Sequence, residues 1–180
     1  MVTRTSRQQF KADPQFRRLS WYAAIFGQTT TIKEMQAGKL VTYPERIVPG
    51  AFTESLAGNV EVIANIDHDD GKAFARRSDG SLVLQEDPHG LFCSAWVPEG
   101  EFGDKILAAV EAGTLDGCSF RFEPVNSRTA EDGTVERVSV VLADVCLTAY
   151  PAYKDTHILA RTARTKFLLT KLRLLKTRTA

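Results

Sequence analysis

Two short segments of the chain carry side chains suited to nucleophilic chemistry: Ile66-Asp67-His68-Asp69-Asp70 and Asp116-Gly117-Cys118-Ser119-Phe120. A serine hydroxyl stays protonated at neutral pH and attacks a carbonyl only when a base lies within hydrogen-bond reach. The base in turn needs a group that fixes its tautomer. His68 can be that base and Ser119 the nucleophile. Asp144, the polar residue interrupting the apolar run 138–149, can hold the imidazole. The chain order is then His, Ser, Asp.

Each residue also has a plainer reading. A histidine among acids is usually a solvated loop residue, and the acids at 67, 69 and 70 invite a metal ion. Yet one histidine with no recognisable ligand spacing is a weak metal site, so no metal is expected. His89, in the turn Asp87-Pro88-His89-Gly90, and His157 read as exposed bystanders. Cys118 is the rival nucleophile. Neighbours on a strand face opposite sides, so only one of Cys118 and Ser119 can enter a given site, and a free cysteine is most often a core residue. Gly117 allows close backbone approach before Ser119, and amides at such a turn could stabilise an oxyanion. A buried Asp144 without a partner would cost several kcal/mol; orienting His68 would satisfy it.

The elements that must position these residues follow from the hydrophobic pattern. Residues 1–18 read as a flexible basic segment. A first strand is expected at 21–26, and 28–46 is ambiguous between strand and short helix. A turn at Val48-Pro49-Gly50 precedes a short helix over 51–57. A strand over 59–66 delivers His68 just past its end. Further strands are expected at 73–77, 81–85 and 91–97, the last with Leu91, Cys93, Ala95 and Val97 alternating with Phe92, Ser94 and Trp96. Residues 101–112 form the clearest helix, with acids in its first turn and Gly113 after it. Ser119 opens a strand over 118–125, and two more follow at 135–142 and 145–150. This pattern predicts a β-rich α+β domain, a closed or half-closed antiparallel barrel with a few flanking helices.

The 180-residue length suits one domain, 19–160, with 43% hydrophobic and 25% charged residues. No apolar run approaches the roughly 20 residues of a membrane span, and no segment has the character of a secretory signal. Three cysteines without metal-type spacing read as reduced thiols of an intracellular protein. Charge is uneven. Residues 1–18 hold five basic side chains against Asp13, and residues 161–180 hold seven and no acid, although the whole chain is only +1. The basic tail 161–180 is a candidate docking or removable segment, and it is the part of the chain through which nucleic acid could be met.

In joint order, five segments resemble the prohead (capsid maturation) serine proteases of tailed bacteriophages, whose fold is similar to herpesvirus assemblin. They are Ile47-Val48-Pro49-Gly50-Ala51-Phe52, the strand ending at His68-Asp69, Gly90-Leu91-Phe92, the stretch 112–122 around Ser119, and the stretch 142–152 around Asp144. The resemblance runs from about Trp21 to Tyr153. It implies His68 as general base and Ser119 as nucleophile, with Asp144 standing where many members carry glutamate. Arg121 stands where a small residue is common, and is a candidate for the oxyanion hole. The implied function is a serine endopeptidase without cofactor. Its substrate would be a scaffold protein or a scaffolding segment of the major capsid protein, and also itself, inside the phage prohead in the host cytoplasm. Homo-oligomers are compatible with this reading. Two other classes stand beside it: a catalytically silent capsid-assembly module, and a small intracellular esterase, which would lack the usual Gly-x-Ser-x-Gly elbow.

Overall fold

The computed structural model describes residues 1–7, 11–13, 16–36 and 38–149. In chain order the strands are β1 (Val2–Arg7), β2 (Lys11–Asp13), β3 (Arg18–Ile25), β4 (Thr30–Gln36) and β5 (Lys39–Ile47). Helix α1 (Thr53–Ala57) leads to β6 (Ile63–Ile66), β7 (Ala75–Arg76), β8 (Leu82–Glu86) and β9 (Gly90–Trp96). Helix α2 (Glu101–Glu111), β10 (Gly117–Thr129) and β11 (Val135–Thr148) complete the described chain. Helix α2 starts where Glu101 and Asp104 place acids at the positive end of its dipole. It buries Gly103, Ile106 and Val110 on one face, and ends before Gly113, whose φ of 73° suits glycine.

The strands make two sheets. One runs β1-β10-β11-β5-β4 with β6 attached to β11 and β7 to β6; the other runs β2-β3-β9-β8. The expected β-rich α+β class holds, but within the described residues neither sheet closes into a barrel, and the larger is mixed rather than antiparallel. The reason lies at the far edge of β11. Residues Val135–Arg137 pair parallel with β5, and Asp144–Leu147 pair parallel with β6. Between those stretches the α1 segment intervenes, and the amides of Val140 and Leu142 donate to the Ala51 carbonyl (3.0 Å) and the Ser55 hydroxyl (2.9 Å). Those contacts satisfy backbone donors that a neighbouring strand would otherwise take.

Three local expectations change. The opening segment, expected to be flexible, contributes β1, which pairs antiparallel along β10 from Val2↔Phe122 to Arg7↔Gly117. The ambiguous stretch 28–46 is the β4–β5 hairpin, turning at Gly38 with φ of 79°. The two strands expected at 135–142 and 145–150 are one strand, β11. His157 and the basic tail 161–180 lie outside the described residues.

One apolar core joins the layers. It holds Leu19 and Trp21 of β3, Leu91 and Cys93 of β9, Phe52, and Cys118, Phe120 and Phe122 of β10. Phe120 packs on Phe52 edge to face at 5.9 Å and stacks on Phe122 at 5.5 Å. With Cys118, Phe120 and Phe122 committed to this core, strand alternation turns Ser119 and Arg121 to the other face.

Candidate active site

His68 sits in a tight turn leaving β6. Asp67 and His68 adopt φ of 53° and 59°, a left-handed conformation uncommon for residues with a Cβ. The surroundings hold it there. The Asp67 amide donates to the Leu147 carbonyl of β11, and the Asp69 amide closes the turn on the Ile66 carbonyl, each at 3.0 Å. Asp69 then accepts from the Gly71 amide at 2.9 Å and pairs with Lys72 at 3.1 Å. Strained backbone fixed by its neighbours is a frequent feature of functional sites.

The β10–β11 register sets Ser119 opposite Cys146 and Arg121 opposite Asp144. Four polar or sulfur-bearing side chains therefore share one patch, and the His68 ring lies across it. Nε2 is 2.7 Å from Ser119 Oγ, and Nδ1 is 2.8 Å from Asp144 Oδ1. An ionised carboxylate only accepts, so the proton on the Asp144 side belongs on Nδ1, which leaves the Nε2 lone pair facing the serine. Burial alone would push the Asp144 carboxyl up, but hydrogen bonds from His68 and Arg121, aided by their charge, hold it below the ordinary aspartate value.

Arg121 meets two acids. Its Nε donates to Asp144 Oδ2 at 2.5 Å, and its Nη2 reaches Asp70 at 3.0 Å and also Asp144. The residue proposed from sequence for an oxyanion is thus bound to the acid behind the histidine. Cys118 is fully buried in the core, its thiol on the Tyr22 carbonyl at 3.4 Å, away from His68. His89 packs edge to face on Tyr22, with centroids 4.6 Å apart, outside the site.

Two neighbours were not singled out from the sequence. Asn65 of β6, fully buried, donates from Nδ2 to Asp144 Oδ2 at 3.2 Å. An amide inside an apolar strand three residues before the histidine is the signal that could have found it. Cys146 lies with its sulfur 3.4 Å from His68 Nε2. Burial pushes its thiol up to about 12, so it stays protonated and does not compete as a thiolate. Ser119 has a further partner: its hydroxyl meets the Arg4 carbonyl of β1 at 2.7 Å.

The arrangement can take a proton from a serine and hold the resulting imidazolium against a carboxylate. The profile of the family described as caudovirus prohead serine protease matches residues 4–170. No curated protein sequence matches the chain. Among solved structures, the capsid assembly protease of bacteriophage T4 is similar at 11% identity and a TM-score of 0.43, covering 82% of this chain and 99% of that one.

Proposed function

The chain belongs to the caudovirus prohead serine protease family, and from that premise we propose that Ser119 is its nucleophile, His68 the general base and Asp144 the residue that positions the base. Membership carries a role in prohead maturation. The observation that most supports the residue assignment is the His68 ring, hydrogen-bonded to Ser119 at 2.7 Å and to Asp144 at 2.8 Å.

In this reading Ser119 Oγ attacks the scissile carbonyl carbon while its proton passes to Nε2 of His68. The carbonyl π bond opens to an oxyanion. The imidazolium, steadied by Asp144 through Nδ1–H, gives that proton to the departing amine as the C–N bond breaks. Water then attacks the acyl-enzyme, His68 takes its proton, and the ester opens to the product acid and free serine. Asn65 and Arg121 fix the Asp144 carboxylate from behind. Arg121 also brings positive charge to the serine's face of the sheet, two residues along the strand. For its guanidinium to reach an oxyanion directly it would release Asp70, an exposed and therefore weakly held partner.

The substrate class proposed is a scaffold protein or a scaffolding segment of the major capsid protein, with the chain itself as a second substrate. The basic stretch 161–180 is proposed to dock on an acidic partner surface, an attraction that added salt should weaken. The test is fluorophosphonate labelling of the wild-type chain, Ser119→Ala and His68→Ala, together with co-expression of each with the major capsid protein. Labelling at Ser119 and capsid-protein cleavage in the wild type alone support the reading. Cleavage that persists in Ser119→Ala overturns it.

A further inference from the structure

The proposed nucleophile is covered. Ser119 is only 1% exposed, and a hydroxyl so enclosed cannot meet a polypeptide. What covers it has to move before it can act, and the Arg4 carbonyl of β1 is among the groups lying on it. β11 is held on its far edge by β5, α1 and β6, whereas among the described residues β1 lies at the edge of the sheet and pairs with β10 alone.

β1 also engages the chemistry. Its antiparallel register sets Thr5 opposite Ser119, and the Arg4 carbonyl oxygen lies 2.7 Å from Ser119 Oγ. The same Oγ lies 2.7 Å from His68 Nε2. A carbonyl can only accept, and the hydroxyl has one proton. The two acceptors therefore compete for it: while Oγ–H points at the Arg4 carbonyl, no serine proton faces the Nε2 lone pair of His68.

A second observation shows that β1 is anchored. The Arg4 guanidinium bonds Glu45 through both Nε and Nη2, the latter at 2.6 Å, and lies 5.6 Å from the centroid of the Phe122 ring. Glu45 is 3% exposed and is itself oriented by Arg137 at 2.7 Å. A buried carboxylate beside an aromatic face is a built socket for a guanidinium.

We propose that β1 is a built-in substrate mimic. The outer edge of β10 is the seat for an extended peptide strand, residues 2–7 occupy it until displaced, and the Glu45 socket gives it a preference for arginine at the Arg4 position. This inference rests on the reading of Ser119 as nucleophile. Backbone pairing along a sheet edge supplies affinity in strand addition, and side-chain pockets supply selectivity. Because β1 is tethered, it competes at high effective concentration, and the free chain is held back from promiscuous cleavage.

The experiment compares the full wild-type chain with full-length Arg4→Glu, which sets a carboxylate against Glu45 and leaves His68, Ser119 and Asp144 intact. Ser119 labelling by a fluorophosphonate should be at least about tenfold faster in the variant, since breaking a buried ion pair is strongly unfavourable to the docked strand. A synthetic peptide of residues 1–7 should slow the variant's labelling, and the same peptide with glutamate in place of Arg4 should not. The fluorescein-tagged peptide should also bind Arg4→Glu/Ser119→Ala about tenfold more tightly than Ser119→Ala, a readout independent of catalysis. Thr5→Pro, which removes an amide opposite Ser119, should act in the same direction if Arg4→Glu fails to fold by circular dichroism. Equal labelling and equal peptide binding between the unsubstituted and the folded variant chains would overturn the proposal. Peptide binding that distinguishes the chains while none of them labels would keep the seat and remove the nucleophile assignment.

Discussion

Replacing Asp144 by asparagine changes one atom's chemistry and tests how the site sets its histidine. Two donors converge on Asp144 Oδ2, the Arg121 guanidinium at 2.5 Å and the Asn65 amide at 3.2 Å, while His68 Nδ1 faces Oδ1 at 2.8 Å. An asparagine must give its single oxygen to one side. Arg121 is charged and Asn65 is buried, so the oxygen goes to them and the NH2 turns toward His68. The imidazole then has to accept at Nδ1 and carry its proton on Nε2, where it presents a donor to Ser119 instead of a base. A wrong tautomer of this kind costs a serine protease about 10⁴ in rate, or about 5.5 kcal/mol of transition-state stabilisation.

The assay is kcat/KM at pH 7 on a peptide that the wild-type chain cleaves, with a urea melt alongside. The melt should show a loss of only about 2 kcal/mol, because Arg121 keeps Asp70 and some solvent contact. Asp144→Ala offers no misplaced donor and should be no slower than asparagine, although it removes more packing. A rate for Asp144→Asn within tenfold of wild type would refute the tautomer argument, since among the described residues no other carboxylate bonds the ring. Asp69, next to the histidine in sequence, is already committed to the Gly71 amide and Lys72.

Other outcomes follow from the same contacts. Ser119→Ala should abolish cleavage while keeping the fold, whereas Cys118→Ala should retain activity and lose about 1 kcal/mol from the core, as mass spectrometry of products and thermal melts would show. Because Asp144 is held below its ordinary value of 3.8, its contribution to stability is present above that pH. It should fade as the pH falls through the lower folded value, so the stability gap between wild type and Asp144→Asn narrows in acid melts. A Cβ built on Gly90 would stand 2.0 Å from the Ala24 carbonyl oxygen of the neighbouring strand. Gly90→Ala should therefore destabilise by about 3 kcal/mol or more, read as a lowered urea midpoint.

The local elements were legible because their signals were local. The acids and apolar stripe of α2 and the alternation of β9 fixed those elements to within a residue or two at their ends. Alternation also separated Cys118 from Ser119, since Phe120 and Phe122 commit their shared face to the core. What sequence could not supply was pairing. Nothing in residues 2–7, six mostly polar positions, says that they will find β10, because the partner is more than a hundred residues away and an edge strand needs no apolar face. The hairpin at 28–46 was obscured in the same way, by a stretch in which Thr29, Thr30 and Thr31 argue for strand and the following Ile32 to Ala37 for helix.

The architecture of β11 shows why the barrel expectation was too simple. Two strands are expected where there is one, and the expected gap between them contains Asp144, an acid that interrupts the apolar run and looks like a break. The structure keeps the strand continuous because that acid has partners on both sides: His68 and Asn65 come from β6 and the turn after it, Arg121 from β10. Those contacts require β6 to lie beside the C-terminal half of β11, in parallel, while β5 takes the N-terminal half. The mixed pairing that prevents an antiparallel closure is thus the pairing that brings a histidine, a serine and an aspartate within hydrogen-bond reach. The residue that misled the strand assignment is the one around which the sheet is assembled.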